Sequence, residues 1–216
     1  MPSICAHWKS EEISFDAIYT GYLGSEKQID YVKNIFASVA AEGCVKVVDP
    51  AMADNGSLYP GFDMNFARAM GRLCVEADYV IPNITEAAMI TGVEYKTEYG
   101  REYIDLLLSK LCEMGCKNVI LTGISYREGY TGVVCYVNGE YSYYEHEKMP
   151  KGSHGTGDIY ASAFVGALMN GKSVYDSAKI AADFCVECIK ETQKHENHWY
   201  GSAFEPVLYK LIEAVK

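Results

Sequence analysis

Gly152-Ser153-His154-Gly155-Thr156-Gly157-Asp158 runs directly into an apolar, small-residue segment from Ile159 to Leu168. Three glycines and a Thr let the backbone turn tightly and expose its amides, while the segment behind them has helical periodicity. The pattern predicts a loop that opens a helix with its N–H groups directed outward, which is an anion hole. Such a helix end carries about half a positive charge, and Asp158 would sit in its first turn beside any bound anion. A carboxylate next to a phosphoryl group is electrostatically unfavourable unless it takes a proton from the attacking hydroxyl, although capping the helix is the plainer role. No Lys-Ser or Lys-Thr follows the glycines, so this is not a Walker A loop.

Outward from this loop the chain alternates between strand and helix patterns. Met1–Glu12 reads as the end of a helix anchored by Trp8, and Phe15–Gly21 as a buried strand and turn. Ser25 then caps a helix to about Ala41, closed by Gly43, with a strand at Val45–Val48 stopped by Asp49-Pro50. A long polar loop to Gly61 has the length of a functional connection. Further on, Phe62–Cys74 reads as a helix, Tyr79–Ile81 as a strand, Pro82-Asn83 as the turn into a helix through Ile90, Thr97–Met114 as a helix and Asn118–Thr122 as a strand. Asn138-Gly139 between Tyr130–Val137 and Glu140–His146 predicts an antiparallel hairpin at the sheet edge. Helices at Thr156–Met169, Val174–Thr192 and Ala203–Val215 complete a mostly parallel sheet covered by helices, in one α/β domain over residues 1–216.

Composition narrows the function classes. The chain has 216 residues, 49% of them apolar and 22% charged, with a formal charge of −10. That acidity argues against a nucleic-acid or anionic-membrane surface. No run approaches the roughly 18 apolar residues of a membrane span, and Met1-Pro2-Ser3-Ile4-Cys5 has no signal-peptide pattern, so a cytoplasmic location is expected. The eight cysteines are scattered, as reduced and mostly buried thiols would be.

In an open parallel sheet a site forms beyond the carboxyl ends of the strands, where several polar turns of this chain fall. They place Asp49, Asp54, Asn83, Glu86, Thr122 and Asp158 along one edge. Clustered carboxylates beside an anion hole repel each other unless a divalent cation sits among them, and Mg²⁺ keeps such company with phosphates and water. That combination is a phosphoryl-transfer site. Taken singly, Asp49 and Asn83 would be ordinary turn residues beside Pro50 and Pro82.

Asp49-Pro50-Ala51-Met52-Ala53-Asp54-Asn55-Gly56, Asn83-Ile84-Thr85-Glu86 and Gly155-Thr156-Gly157-Asp158, in that order, resemble the ribokinase superfamily, and within it the pyridoxal/pyridoxamine kinases. Thr20-Gly21-Tyr22 and Ser57-Leu58-Tyr59 fit the same branch. The resemblance implies a ribokinase-like fold, commonly a homodimer, that uses ATP and Mg²⁺, with a monovalent cation in some members, to phosphorylate the 5'-hydroxyl of a B6 vitamer. Asp158 would be the base and Gly155, Thr156 and Gly157 its anion hole. Asp49, Asp54, Asn83 and Glu86 would order the ATP phosphates, with Asp49 and Glu86 nearest the metal. Thr122-Gly123 would approach the phosphates, Tyr22 and Tyr59 would line the pocket, and Glu145–Lys151 would lie beside the adenine.

The chain departs from the family pattern in three places. Ala51 and Ala53 replace the common Val and Gly, Ile81 replaces a Thr found in some members, and the family's initial strands, with their ring-binding Ser and lid, are expected to be missing. The same residues leave room for a hydroxymethylpyrimidine or sugar kinase, or for a shortened relative that binds nucleotide without turnover. Cys185-Val186-Glu187-Cys188 with His195 and His198 suggests zinc, but Cys188 and His195 are separated by only six residues and both cysteines lie in a predicted helix. Tyr136, Tyr141, Tyr143 and Tyr144 read as an aromatic sheet edge and not as a stacking platform, since no basic stripe accompanies them.

Overall fold

A computed structural model describes residues 1–150, 152–195, 198 and 200–216. The chain divides into two compact units, Met1–Thr122 with Tyr136–Gly139, and Gly123–Cys135 with Glu140–Lys216.

The first unit opens with α1 (Pro2–Ser10), whose Trp8 ring meets Phe15 edge-on at 5.0 Å. Then come β1 (Phe15–Thr20), α2 (Glu26–Ser38) and β2 (Ala40–Val48). The second helix is shorter than its sequence pattern suggests, and β2 begins at Ala40 instead of Val45 because Ala40 pairs with Phe15 before the register shifts. Ser25 stands at the N-cap position without a side-chain cap bond; the local partner is Gln28, whose Oε1 accepts the Gly24 N–H at 2.7 Å.

The long loop after β2 is partly ordered. Ala53–Asp54 (β3) and Ser57–Leu58 (β4) form a two-stranded antiparallel ribbon. Its turn is Asn55-Gly56, with φ values of 49° and 77°, the geometry of a tight primed hairpin. Next is α3 (Met64–Cys74), which begins two residues later than its apolar pattern because Asp63 caps it, accepting from Asn65 and Phe66 N–H. The strand β5 (Tyr79–Val80) leads into α4 (Ile84–Thr91), followed by α5 (Arg101–Met114) and β6 (Asn118–Ile124). Residues 97–100 stay outside α5, which Gly100 starts. Strand order within this unit is β1-β2-β5-β6, with parallel pairing throughout. Val47, Val48, Val80, Val119, Ile120 and Leu121 are fully buried between helices on both faces, which is why these strands read as continuous apolar runs.

The second unit holds β7 (Tyr130–Val137) as far as Cys135 and β8 (Glu140–Glu147), then α6 (Thr156–Met169), α7 (Val174–Thr192), a 3₁₀ turn at Glu205–Val207 and α8 (Leu208–Val215). The last helix is therefore shorter than predicted, since Pro206 sits in the 3₁₀ turn. Alanines 161, 163 and 167 on α6 and 178, 181 and 182 on α7 are buried, so the two helices approach closely. Gly132 on β7 lies under β8, where an added Cβ would come within 2.1 Å of the Tyr144 carbonyl oxygen. Tyr144 donates a short hydrogen bond to Asp183, which also pairs with Lys179 at 2.5 Å and ties α7 to β8.

Six of the eight cysteines are buried and all are free thiols. Among the described residues no helix is long and apolar enough to cross a membrane.

Candidate active site

The predicted polar residues fall into two groups, one in each unit. In the first unit the loop after β2 and the start of α4 are built as one frame. Asp49 is buried at the end of β2, with Oδ1 accepting the Ala51 N–H at 3.1 Å. Ala51 follows with φ of 40°, a left-handed conformation that costs energy outside glycine and marks a loop held in place by its surroundings.

Glu86 supplies much of that hold. Its side chain is 2% exposed, Oε1 accepts from Met52 N at 2.9 Å and Ala53 N at 3.4 Å, and Oε2 accepts from Asn83 N at 2.9 Å. Asn83 is equally occupied: Oδ1 accepts the Glu86 N–H at 2.9 Å and Nδ2 donates to the Ala53 carbonyl at 2.8 Å. The pair forms a capping box that also ties down the loop. Burial, reinforced by the nearby Asp49 charge, pushes the Glu86 carboxyl from 4.5 up to about 8, against the pull of the three amides.

Asp54 is exposed on the ribbon, its two oxygens bonded to the main-chain and side-chain N–H groups of Asn55. Behind it Thr85 Oγ1 accepts the Gly56 N–H at 3.1 Å. Thr122 joins the same frame through a parallel bridge to Asn83 and a 2.9 Å bond from its N–H to the Pro82 carbonyl. Tyr22 is 60% exposed and Tyr59 39%. Tyr22 leans on Phe62 at 5.4 Å, and Phe62 stacks on Phe66 at 4.0 Å. Phe62 was not foreseen as a neighbour of the predicted pocket; its place directly before the Asp63 cap was the available clue.

Among the described residues no three His, Cys, Asp or Glu side chains group so as to hold a metal ion. Both Glu86 oxygens are taken by amides, so among the described residues there is no ready-made cage for Mg²⁺. The donor set suits an ion that brings most of its ligands as phosphate and water.

In the second unit Gly155 precedes α6 with φ of 81°, and its carbonyl accepts the Ile159 N–H at 3.1 Å. The first-turn amides of any helix lack intrahelical acceptors, so those after Gly155 are available to an anion. Around Gly155 and Gly157 an added Cβ would meet nothing within 4 Å, which leaves the approach to those amides open. Asp158 is exposed in that first turn. Gly123, at the end of β6, also takes positive φ, 75°. Of the predicted adenine-side segment, Glu145 pairs with Arg127 at 2.7 Å, and Lys151 lies outside the described residues.

The element order and motifs are those of the ribokinase-like kinases. Residues 5–203 match the phosphomethylpyrimidine kinase family model, and the chain belongs to this family. Among solved structures it is similar to a Bacteroides thetaiotaomicron protein assigned as a phosphomethylpyrimidine kinase, with a TM-score of 0.92 and 34% identity over 98% of this chain and 74% of that one. An orthorhombic form with pyridoxal gives 0.90 and 32% over 100% and 76%. The pyridoxal kinase of Lactobacillus plantarum gives 0.89 and 27% over 98% and 76%. A pyridoxal kinase of Dictyostelium discoideum is 26% identical over 168 residues, 71% of this chain and 54% of that protein. The chain thus spans about half the length of the curated relatives that match it first.

Proposed function

We infer that this chain carries the phosphoryl-transfer machinery of a kinase that moves the γ-phosphoryl group of ATP to the 5'-hydroxymethyl oxygen of a B6 vitamer. The observation that carries the reading is the start of α6: left-handed Gly155, open space at Gly155 and Gly157, and an exposed Asp158 in the first turn. Asp158 would take the proton of the attacking hydroxyl, and the amides after Gly155 would meet charge on the transferred group, which is where preorganised dipoles contribute most. Asp49, Asp54 and Thr122, with Gly123 after them, would order the ATP phosphates. Asn83 and Glu86 serve this by holding the loop in shape, since both side chains are committed to it. Mg²⁺ would neutralise phosphate charge when it arrives with the nucleotide; Asp49 is the carboxylate nearest in kind to a ligand, and Glu86 would act beside it by fixing the loop that presents Asp49 and Asp54. Tyr22 and Tyr59 would flank the aromatic ring of the acceptor.

Support for a pyridine acceptor comes from the relatives named pyridoxal kinases and from the Bacteroides form crystallised with pyridoxal. The family description, phosphomethylpyrimidine kinase, and relatives named hydroxymethylpyrimidine/phosphomethylpyrimidine kinase favour a second reading, hydroxymethylpyrimidine, whose ring also bears a hydroxymethyl group. A homodimer in the cytoplasm is the working assembly of this reading.

Calorimetry with Mg-ATP, followed by assays with pyridoxal, pyridoxine, pyridoxamine and hydroxymethylpyrimidine, tests it. Phosphorylation of at least one B6 vitamer in preference to the pyrimidine is expected. Preference for the pyrimidine would replace the first reading with the second, and nucleotide binding with no transfer to any acceptor would sink both.

A further inference from the structure

The loop that opens α6 is rich in glycine, and a backbone this free does not hold a catalytic geometry unaided. The hydrogen bonds that fix it come from two directions. Ser153 Oγ donates to the Gly201 carbonyl at 3.0 Å, while Ser202 Oγ lies 2.8 Å from Ser153 Oγ and 3.2 Å from the His154 carbonyl, so its single proton serves both. Inside the loop Thr156 Oγ1 donates to the Ser153 carbonyl at 3.3 Å. Beneath it the buried Cys185 thiol donates to the Thr156 carbonyl at 3.5 Å.

Ser202 is itself held. Next to it, Ala203 N donates to Thr192 Oγ1 at 2.8 Å, and Thr192 Oγ1 donates to the Cys188 carbonyl at 2.7 Å. The route therefore runs from the last turns of α7, through Thr192, Ala203 and Ser202, to Ser153 and His154. A second and shorter route runs from α7 through Cys185 to Thr156. Burial pushes the Cys185 thiol up to about 12 and keeps it protonated, as a donor must be. The Cys185 to Cys188 pair that looks like half a metal site is the part of α7 from which the loop is braced.

We propose that Ser202 is a positioning residue for phosphoryl transfer: it fixes Ser153 and His154, and through them the amides after Gly155 and the Asp158 carboxylate. The inference rests on the kinase reading above. Ser202 touches no reacting atom; it acts on the geometry of groups that do. Misplacement of such groups by about 1 Å costs on the order of a hundredfold in rate.

The test uses the full chain with Ser202→Ala and Ser202→Thr. In Ser202→Ala, kcat for transfer should fall about ten- to a hundredfold while KM for Mg-ATP stays within about twofold, and Ser202→Thr, which keeps the hydroxyl, should recover most of the rate. Amide exchange of Ile159, whose N–H closes on the Gly155 carbonyl, should accelerate in Ser202→Ala and return in Ser202→Thr. Unchanged kcat, or equal losses in both variants, would overturn the proposal. If the wild-type chain transfers nothing, the kinase reading falls, and the exchange measurement alone decides whether Ser202 sets the loop: acceleration supports the brace, and unchanged exchange overturns it.

Discussion

Asn83 and Glu86 cap each other across the first turn of α4: Asn83 Oδ1 accepts the Glu86 N–H and Glu86 Oε2 accepts the Asn83 N–H, each at 2.9 Å. A reciprocal cap of this kind usually serves only the helix. Here both side chains have a second atom on the loop after β2, so the start of α4 and the shape of that loop are one structural property.

Asn83→Ala removes the cap and the bond to the Ala53 carbonyl together. A loss of about 2 kcal/mol is expected, roughly half from the cap and half from the buried carbonyl left unpaired. Urea denaturation measures it, and Mg-ATP affinity should fall in parallel. A midpoint equal to that of the wild type would show that the loop is held by other means.

Glu86 makes stability depend on pH in a direction opposite to most carboxylates. Its folded-state value, about 8, lies above the ordinary 4.5, so between the two the folded protein binds more protons than the unfolded chain. The contribution is fully present below about 4.5 and is lost as pH rises through about 8. Denaturation midpoints at a series of pH values should therefore decline over that window. Glu86→Gln should flatten the decline, while lowering stability by about 1–3 kcal/mol because an amide NH₂ must then face a main-chain N–H. A slope unchanged in the variant would assign the pH dependence to other groups.

Asp158→Asn should reduce transfer by about a hundredfold or more and leave Mg-ATP binding nearly intact, since the base acts on the acceptor. Stability should change little at this exposed position. Near-normal turnover would remove Asp158 from the mechanism.

Gly155→Ala tests the left-handed turn itself. The space around the position is open, so the cost is torsional, about 1–2 kcal/mol, and should appear as a lower denaturation midpoint with a larger proportional loss of transfer rate. A variant as stable and as active as the wild type would show that the loop reaches its geometry without positive φ at Gly155.

The long elements were legible because periodicity and punctuation agreed. Thr156–Met169 and Val174–Thr192 have the bounds expected from their apolar spacing, and Asn138-Gly139 makes the predicted turn. Where tertiary pairing decides, the local signal failed: Ala40 joins a strand because Phe15 lies beside it. Asn55-Gly56 carries the same turn signal as Asn138-Gly139, but it is flanked by two-residue strands too short to show alternation. At the candidate site, the residue types suggest a phosphate chemistry, but how the side chains divide between holding the loop and facing outward is not visible in them. Nothing in Asn83-Ile84-Thr85-Glu86 as a string says that its two polar ends bond inward. The brace on the glycine loop was equally hidden, because Ser153 and Ser202 lie far apart in sequence and meet only after α6 and α7 pack.

Gly132 carries a consequence for how the hairpin assembles. Any side chain there would collide with the Tyr144 carbonyl and the Glu145 Cα, at 2.1 and 2.9 Å from where its Cβ would be. It is the only residue of β7 without a side chain, so it acts as a notch into which β8 fits in a single alignment. A slip by one residue would set the side chain of Thr131 or Val133 against the backbone of β8. The two strands therefore have one register in which their backbones fit together.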